Sequence, residues 1–120
     1  MAHEWWAANN SFGWATCPLT ENGLVRIISQ PAYQNPINAT FAIQLLTEQV
    51  ERTDHAFWPD DISLRDDRLI ASDRILRPNQ ITDVYLFALA VKNDGRLVTF
   101  DKSVPLEAVR GALPRHLATI

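Results

Sequence analysis

The stretch QITDVYLFALAVKNDGRLVTFD, residues 80–101, joins an almost entirely apolar helical segment to a strand through an Asn-Asp-Gly turn. A helix that is apolar on nearly every side has to be buried, so residues 84–91 predict a helix at the centre of the fold. Thr82 is a suitable N-cap for this helix. The run at residues 96–100 combines β-branched and aromatic residues, which is typical of a strand.

Strands and helices alternate on both sides of this stretch. A short apolar strand at residues 14–17 precedes a helix that starts near Thr20, and a second helix, capped by Asn38, precedes a strand at residues 55–58. A last strand is predicted at residues 116–120. Such alternation predicts parallel strands joined by helical crossovers, and therefore an α/β sandwich.

Weaker patterns complete the predicted secondary structure. Residues 2–9 predict the end of a helix, residues 31–36 a loop, and residues 64–76 a charge-laced helical stretch. On the second helix, Phe41, Leu45 and Val50 predict the core-facing side.

The composition is that of one ordinary domain over residues 1–120, with 47% apolar and 21% charged residues. A net charge of −3 provides no broad basic field, so a nucleic acid would have to be held by local arginines or bound metal. The single cysteine excludes a disulfide framework. Because no apolar run approaches the roughly 18 residues of a membrane span, and no signal peptide is recognisable, we expect a cytoplasmic protein.

Three acidic residues occupy matching positions near strand ends. Glu21 and Asp83 are predicted in the first turns of helices, and Asp101 follows the strand at residues 96–100. In open α/β sheets ligands bind beyond the carboxyl ends of the strands, and converging carboxylates favour Mg²⁺ or Mn²⁺. The alternative for each helical acid is a simple favourable interaction with the helix dipole. Taken together, the three acids predict a metal site that activates water.

Other reactive residue types give weaker signals. The three histidines, His3, His55 and His116, show no ligand-pair spacing, so we expect them at the surface or partly packed. Cys17 lies between an apolar strand and a proline, which favours a buried structural thiol over a nucleophile.

Four separated blocks strongly resemble PIN-domain proteins of the VapC toxin type. They are CPLTENGLVRIISQPAYQNP (17–36), HAFWPDDISL (55–64), QITDVYLFALAVKNDGRLVTFD (80–101) and VPLEAVRGALPRHL (104–117). The resemblance implies a three-layer α/β/α sandwich and a Mg²⁺- or Mn²⁺-dependent ribonuclease that is inhibited by a cognate antitoxin. It carries the family's catalytic, metal-binding acids over to Glu21, Asp83 and Asp101. A homodimer is also implied.

The resemblance departs from the family at the first residues. The family begins with an apolar strand that ends in an aspartate, whereas AHEWWAANN, residues 2–10, resembles the tail of a later helix. The family's first strand is central in a five-stranded sheet, between the strands matching residues 14–17 and 96–100, and its aspartate is a fourth metal-site acid. We therefore expect these two strands to lack a shared partner. The alternative function is a catalytically impaired or inactive PIN remnant that acts only as an antitoxin-binding or interaction module.

Overall fold

The computed structural model describes residues 13–31 and 37–120. The helix predicted at residues 2–9 and most of the loop predicted at residues 31–36 therefore lie outside the described residues. The chain divides into two compact units, Met1–Asp60 and Asp61–Ile120. Within the described ranges, no helix has the length and apolar character needed to cross a membrane.

The first unit contains two short parallel strands and two helices. Its elements are β1 (Trp14–Thr16), α1 (Pro18–Ile28), α2 (Ala39–Arg52) and β2 (His55–Phe57). In the parallel pairing of β1 with β2, Trp14 lies opposite His55. Both predicted strands, their parallel direction and both predicted helices are confirmed. The first helix begins at Pro18, ahead of Thr20, because a proline in the first turn has no N–H group to leave unpaired.

The second helix has the predicted start but a different buried face. The Asn38 side chain accepts a hydrogen bond of 2.8 Å from the Phe41 amide, which confirms the N-cap. Phe41 is 47% exposed, Leu45 is also exposed, and Ala42 is the buried residue of α2. The predicted core-facing side was therefore wrong at Phe41 and Leu45, since the small Ala42 side chain is the one that packs closely.

The second unit is built around the helix predicted to be central. Its regular elements are α3 (Ile81–Lys92), β3 (Leu97–Thr99) and β4 (Leu117–Thr119). Val84 and Phe87 of α3 are completely buried in an apolar cluster that also contains Ile70 and Val109. The strands β3 and β4 pair in parallel, with Leu97 opposite Leu117. The buried helix and both strands of this unit are confirmed.

The start of α3 differs from the prediction. Thr82 lies inside the helix, which begins at Ile81 directly after a 3₁₀ turn at Pro78–Gln80. The polar residue at the boundary is Gln80, whose side-chain oxygen accepts hydrogen bonds from the amides of Leu76 and Arg77. The preceding 3₁₀ turn leads directly into the helix, so a threonine cap is not needed.

The helical stretch predicted at residues 64–76 was wrong, since the chain forms turns and a short 3₁₀ helix at Ser72–Arg74 there. The Ser63 hydroxyl accepts a hydrogen bond from the Arg65 amide, and the Asp66 carboxylate accepts one from the Arg68 amide. Such local side-chain bonds satisfy backbone N–H groups without a helix, which is why serine and aspartate favour turns.

His116 holds the end of α3 to the start of β4. It is only 4% exposed, so the expectation that it lies at the surface or is partly packed was wrong. Its Nδ1 accepts a hydrogen bond from the Leu113 amide, and its Nε2 lies 3.0 Å from Asp94 Oδ1. Because Nδ1 accepts a hydrogen bond, the ring proton is on Nε2, and Nε2 donates a hydrogen bond to Asp94. That hydrogen bond and the charge of Arg115 lower the pKa of Asp94.

The described strands form two two-stranded parallel sheets, β1 with β2 and β3 with β4. Helices and parallel strands together give the predicted α/β fold class.

Candidate active site

Glu21 lies where β1 passes into α1. The two elements are separated by the buried Cys17, and the Glu21 amide donates to the Cys17 carbonyl in the first turn of the helix. Thr16, the last residue of β1, donates a hydrogen bond from Oγ1 to Glu21 Oε2 over 2.5 Å. The predicted place of Glu21, at the carboxyl end of a strand and in the first turn of a helix, is therefore observed. Cys17 is the buried thiol that the sequence predicted.

The hydroxyl group that contacts Glu21 has a second partner. Thr16 Oγ1 also lies 2.8 Å from Nε2 of His55, a residue far away in sequence at the start of β2. The Trp14 ring packs edge-on against the His55 ring, with 4.6 Å between the ring centroids. Sequence reasoning missed this contact. Its only sequence signal is the period of two, which places Trp14 and Thr16 on the same face of β1.

Asp83 lies in the first turn of α3 and is half-buried. Burial raises the pKa of the Asp83 carboxyl group, and the negative charge of Asp101 raises it further. The two acids are therefore close enough to repel each other, although they are well separated in sequence. Both causes that act on Asp83 raise its pKa, so the second unit contains two like-charged side chains that repel each other.

Asp101 follows β3 and is fixed by the next turn. Its Oδ1 accepts a hydrogen bond of 2.6 Å from the Ser103 hydroxyl and one of 2.7 Å from the Ser103 amide. Both bonds lower the pKa of Asp101, and the bond from the hydroxyl has the larger effect. The positive charge of Arg77 also lowers this pKa. Asp101 therefore ionises before Asp83, and its charge then opposes the ionisation of Asp83.

Gln80 links the two segments that present this pair. It is 5% exposed, and its Nε2 donates a hydrogen bond of 3.0 Å to the carbonyl oxygen of Ser103. Since its Oε1 holds the amides of Leu76 and Arg77, one side chain joins the approach to α3 with the turn after β3. The sequence did not single out Gln80, because a glutamine ahead of a helix is more often exposed to solvent.

The structure thus brings two of the three predicted acids, Asp83 and Asp101, into electrostatic contact in the second unit. Glu21 lies in the first unit with Thr16 as its partner. Across residues 13–31 and 37–120, the structure shows no group of three or more histidine, cysteine or acidic side chains arranged to hold a metal ion. That Glu21 shares one site with the other two acids stays a prediction.

The carboxylate oxygens of Asp83 and Asp101 are suitable ligands for a hard divalent cation. Carboxylate oxygens are the ligands that Mg²⁺ and Mn²⁺ prefer, and a cation between the two groups would remove the repulsion that raises the pKa of Asp83. The Ser103 hydroxyl donates to Oδ1 of Asp101, and a bond of this kind fixes the orientation of a carboxylate.

Comparison with known proteins gives relatives along almost the whole chain. Ribonuclease VapC44 of Mycobacterium tuberculosis (strain ATCC 25618 / H37Rv) is 47% identical over 119 residues, which cover 99% of this chain and 84% of the relative. Ribonuclease VapC38 of the same strain is 40% identical over 98% of this chain and 82% of its own length. Ribonuclease VapC39 is 38% identical over 92% of this chain and 80% of its own.

No family model and no solved structure matches the chain. The matches to VapC44 and VapC38 nevertheless cover 99% and 98% of the chain, so they extend through both units. The parallel strands and intervening helices agree with a PIN-like α/β fold. By this similarity and this fold, the chain belongs to the VapC family.

Proposed function

We propose that this protein is the endoribonuclease toxin of a toxin–antitoxin pair, and that it hydrolyses RNA phosphodiester bonds with Mg²⁺ or Mn²⁺. The observation that carries the proposal is the like-charged pair Asp83 and Asp101, in a chain whose relatives are named ribonucleases. A repelling carboxylate pair costs stability, and such pairs are often found where a ligand or a reaction uses them.

Glu21, Asp83 and Asp101 would hold the cation through carboxylate oxygens. A divalent cation bound there supplies an activated water and stabilises the leaving oxygen of the phosphodiester. The first turns of α1 and α3 would present Glu21 and Asp83 to the cation. Ser103 keeps Asp101 ionised and fixes its orientation.

The substrate has to be held by local positive charge, because the net charge of the chain is −3. Arg77 is exposed and lies close enough to Asp101 to lower the pKa of that carboxyl group. We assign Arg77 to a contact with an RNA phosphate beside the reacting bond. Arginine suits this role because its planar guanidinium group pairs with two phosphate oxygens at once.

The cognate antitoxin is the proposed protein partner, and a groove in the first unit supports its docking there. The groove has a volume of about 630 Å³ and is lined by Val25, Ile43, Leu46 and Val50, with Glu21 also at its wall. A partner in this groove would bury apolar surface and block access to Glu21 in the same step. We further propose a homodimer in the cytoplasm.

The test is cleavage of RNA by the full chain with Mg²⁺, with Mn²⁺ and with a chelator. Glu21→Gln, Asp83→Asn and Asp101→Asn should each lose more than the roughly 10–100-fold that removal of an outer-shell partner costs. Asp67→Asn, at an exposed acid of the second unit, is the matched control and should cleave as the wild type does. Cleavage that survives all three substitutions would refute the site. A wild type that binds the antitoxin and cleaves no RNA would favour the non-catalytic interaction module.

A further inference from the structure

We propose that Thr16 and His55 are positioning residues that orient the Glu21 carboxylate toward a divalent cation. This inference rests on the proposed function, because it takes Glu21 as a metal ligand. It starts from two contacts of one oxygen atom: Thr16 Oγ1 lies 2.5 Å from Glu21 Oε2 and 2.8 Å from His55 Nε2.

The protons in this chain of contacts can be assigned. The Thr16 hydroxyl donates to Glu21 Oε2, which uses its single proton. The oxygen of Thr16 then has only lone pairs to offer His55, so the imidazole must donate from Nε2. The direction of donation is therefore from His55 to Thr16 and from Thr16 to Glu21. This order selects one tautomer of His55 in the metal-free protein.

Packing limits the movement of the Thr16 and His55 side chains. Thr16 is buried at the end of β1, and the edge of the Trp14 ring lies against His55. Trp14 is anchored in turn, since its Nε1 donates to the Thr53 hydroxyl over 2.5 Å. A hydroxyl group held in this way fixes one oxygen of Glu21 in space.

The second oxygen of Glu21 is the one that this arrangement directs to a ligand. Oε2 is occupied by Thr16, whereas Oε1 has no hydrogen-bond partner among the residues that the structure describes. Outer-shell hydrogen bonds that orient a ligating carboxylate raise metal affinity, and their loss typically costs about 10–100-fold. The contribution of Thr16 and His55 is thus the orientation of a ligand rather than contact with the reacting atoms.

A purely structural link between β1 and β2 would show the same distances, so the test compares side chains of matched shape. Thr16→Val removes the hydroxyl and keeps the branching, whereas Thr16→Ser keeps the hydroxyl. His55→Gln places an amide N–H near the position of Nε2, whereas His55→Asn reaches only the position of Nδ1. The measurements are Mn²⁺ affinity of the full chain by electron paramagnetic resonance, the ¹⁵N shifts of His55 without metal, and kcat and KM for RNA.

We expect the Nε2–H tautomer of His55 in the wild type, and about tenfold weaker Mn²⁺ binding in Thr16→Val and His55→Asn. Thr16→Ser and His55→Gln should regain most of the affinity, and the losses should appear in kcat rather than in KM. Equal Mn²⁺ affinity of Thr16→Val and Thr16→Ser, or an Nδ1–H tautomer in the wild type, would overturn the inference while leaving the proposed function intact. If Glu21→Gln binds Mn²⁺ and cleaves RNA as the wild type does, the assignment of Glu21 fails and the inference fails with it.

Discussion

Gln80 donates a hydrogen bond of 3.0 Å from Nε2 to the carbonyl oxygen of Ser103. The hydroxyl and the amide of Ser103 in turn both donate hydrogen bonds to Asp101 Oδ1. The approach to α3, which leads to Asp83, is thereby tied to the turn that carries Asp101. A single buried glutamine thus helps to set the distance between two acids that belong to different elements.

Gln80→Ala should destabilise the protein and separate the two acids. The substitution leaves partly buried backbone groups at Leu76, Arg77 and Ser103 without their partner, and such a group costs about 1–3 kcal/mol where water does not replace the lost bond. The measurement is the free energy of unfolding by urea denaturation. Asn79→Ala, at the exposed neighbouring position, is the control. Equal stability of the two variants would show that Gln80 is not a structural link.

Asp83→Asn should raise the stability of the metal-free protein at neutral pH. The folded pKa of Asp83 lies above its usual value of 3.8, so the stability associated with the neutral form is present below pH 3.8 and is lost as pH rises through the folded pKa. Asparagine carries no charge and avoids that loss. The wild type and Asp83→Asn should therefore differ at pH 7 and converge in acid. Melting temperatures in the presence of a chelator test this, with Asp67→Asn as the control.

In the same melts, a lower melting temperature of Asp83→Asn at pH 7 would contradict the repulsion between Asp83 and Asp101. A higher melting temperature together with lost RNA cleavage would be the pattern of a residue retained for function at a cost in stability.

Leu89→Asp should unfold the second unit, because Leu89 is fully buried on α3 and a carboxylate there would have no partner. Phe87→Ala, at an equally buried position, should cost about 3–5 kcal/mol by leaving a cavity. Leu76→Asp is the control, since Leu76 is 77% exposed. Circular dichroism melts of the three variants give the comparison. A native melt of Leu89→Asp would place α3 outside the core.

Ile43→Asp should weaken binding of the antitoxin without loss of stability. Ile43 lines the groove of the first unit and is 52% exposed, so a charge there is solvated in the free protein and is desolvated in the complex. Gln44→Asp, at the adjacent exposed position, introduces the same charge and should bind normally. Isothermal titration calorimetry against the cognate antitoxin measures both. Equal affinity of the two variants would exclude the groove as the docking surface.

Local signals were sufficient where neighbours in sequence decide the structure. The Asn38 cap and the turn in which Asp94 adopts a φ of 52° both follow from side chains within a few residues. The burial of α3 followed from its apolar content alone. The prediction at residues 64–76 failed for a local reason too, since Ser63 and Asp66 bond to nearby amides and favour turns.

Contacts between distant residues could not be predicted in the same way. Thr16 and His55 are 39 positions apart, and Gln80 and Ser103 are 23 positions apart, so their hydrogen bonds exist only after strands have paired and helices have packed. The buried face of α2 depends in the same way on what packs against Ala42.

The sequence by itself therefore determined the order of helices and strands, the acids near strand ends and the resemblance to the VapC family, because these depend on residue type and spacing. Only the tertiary structure decided which acids meet and which polar groups hold them. Asp83 is opposed by Asp101, Asp101 is fixed by Ser103, and Glu21 is held by Thr16. The physical reason is that charge repulsion and hydrogen bonding act over a few ångströms in space, and separation along the chain does not specify that distance.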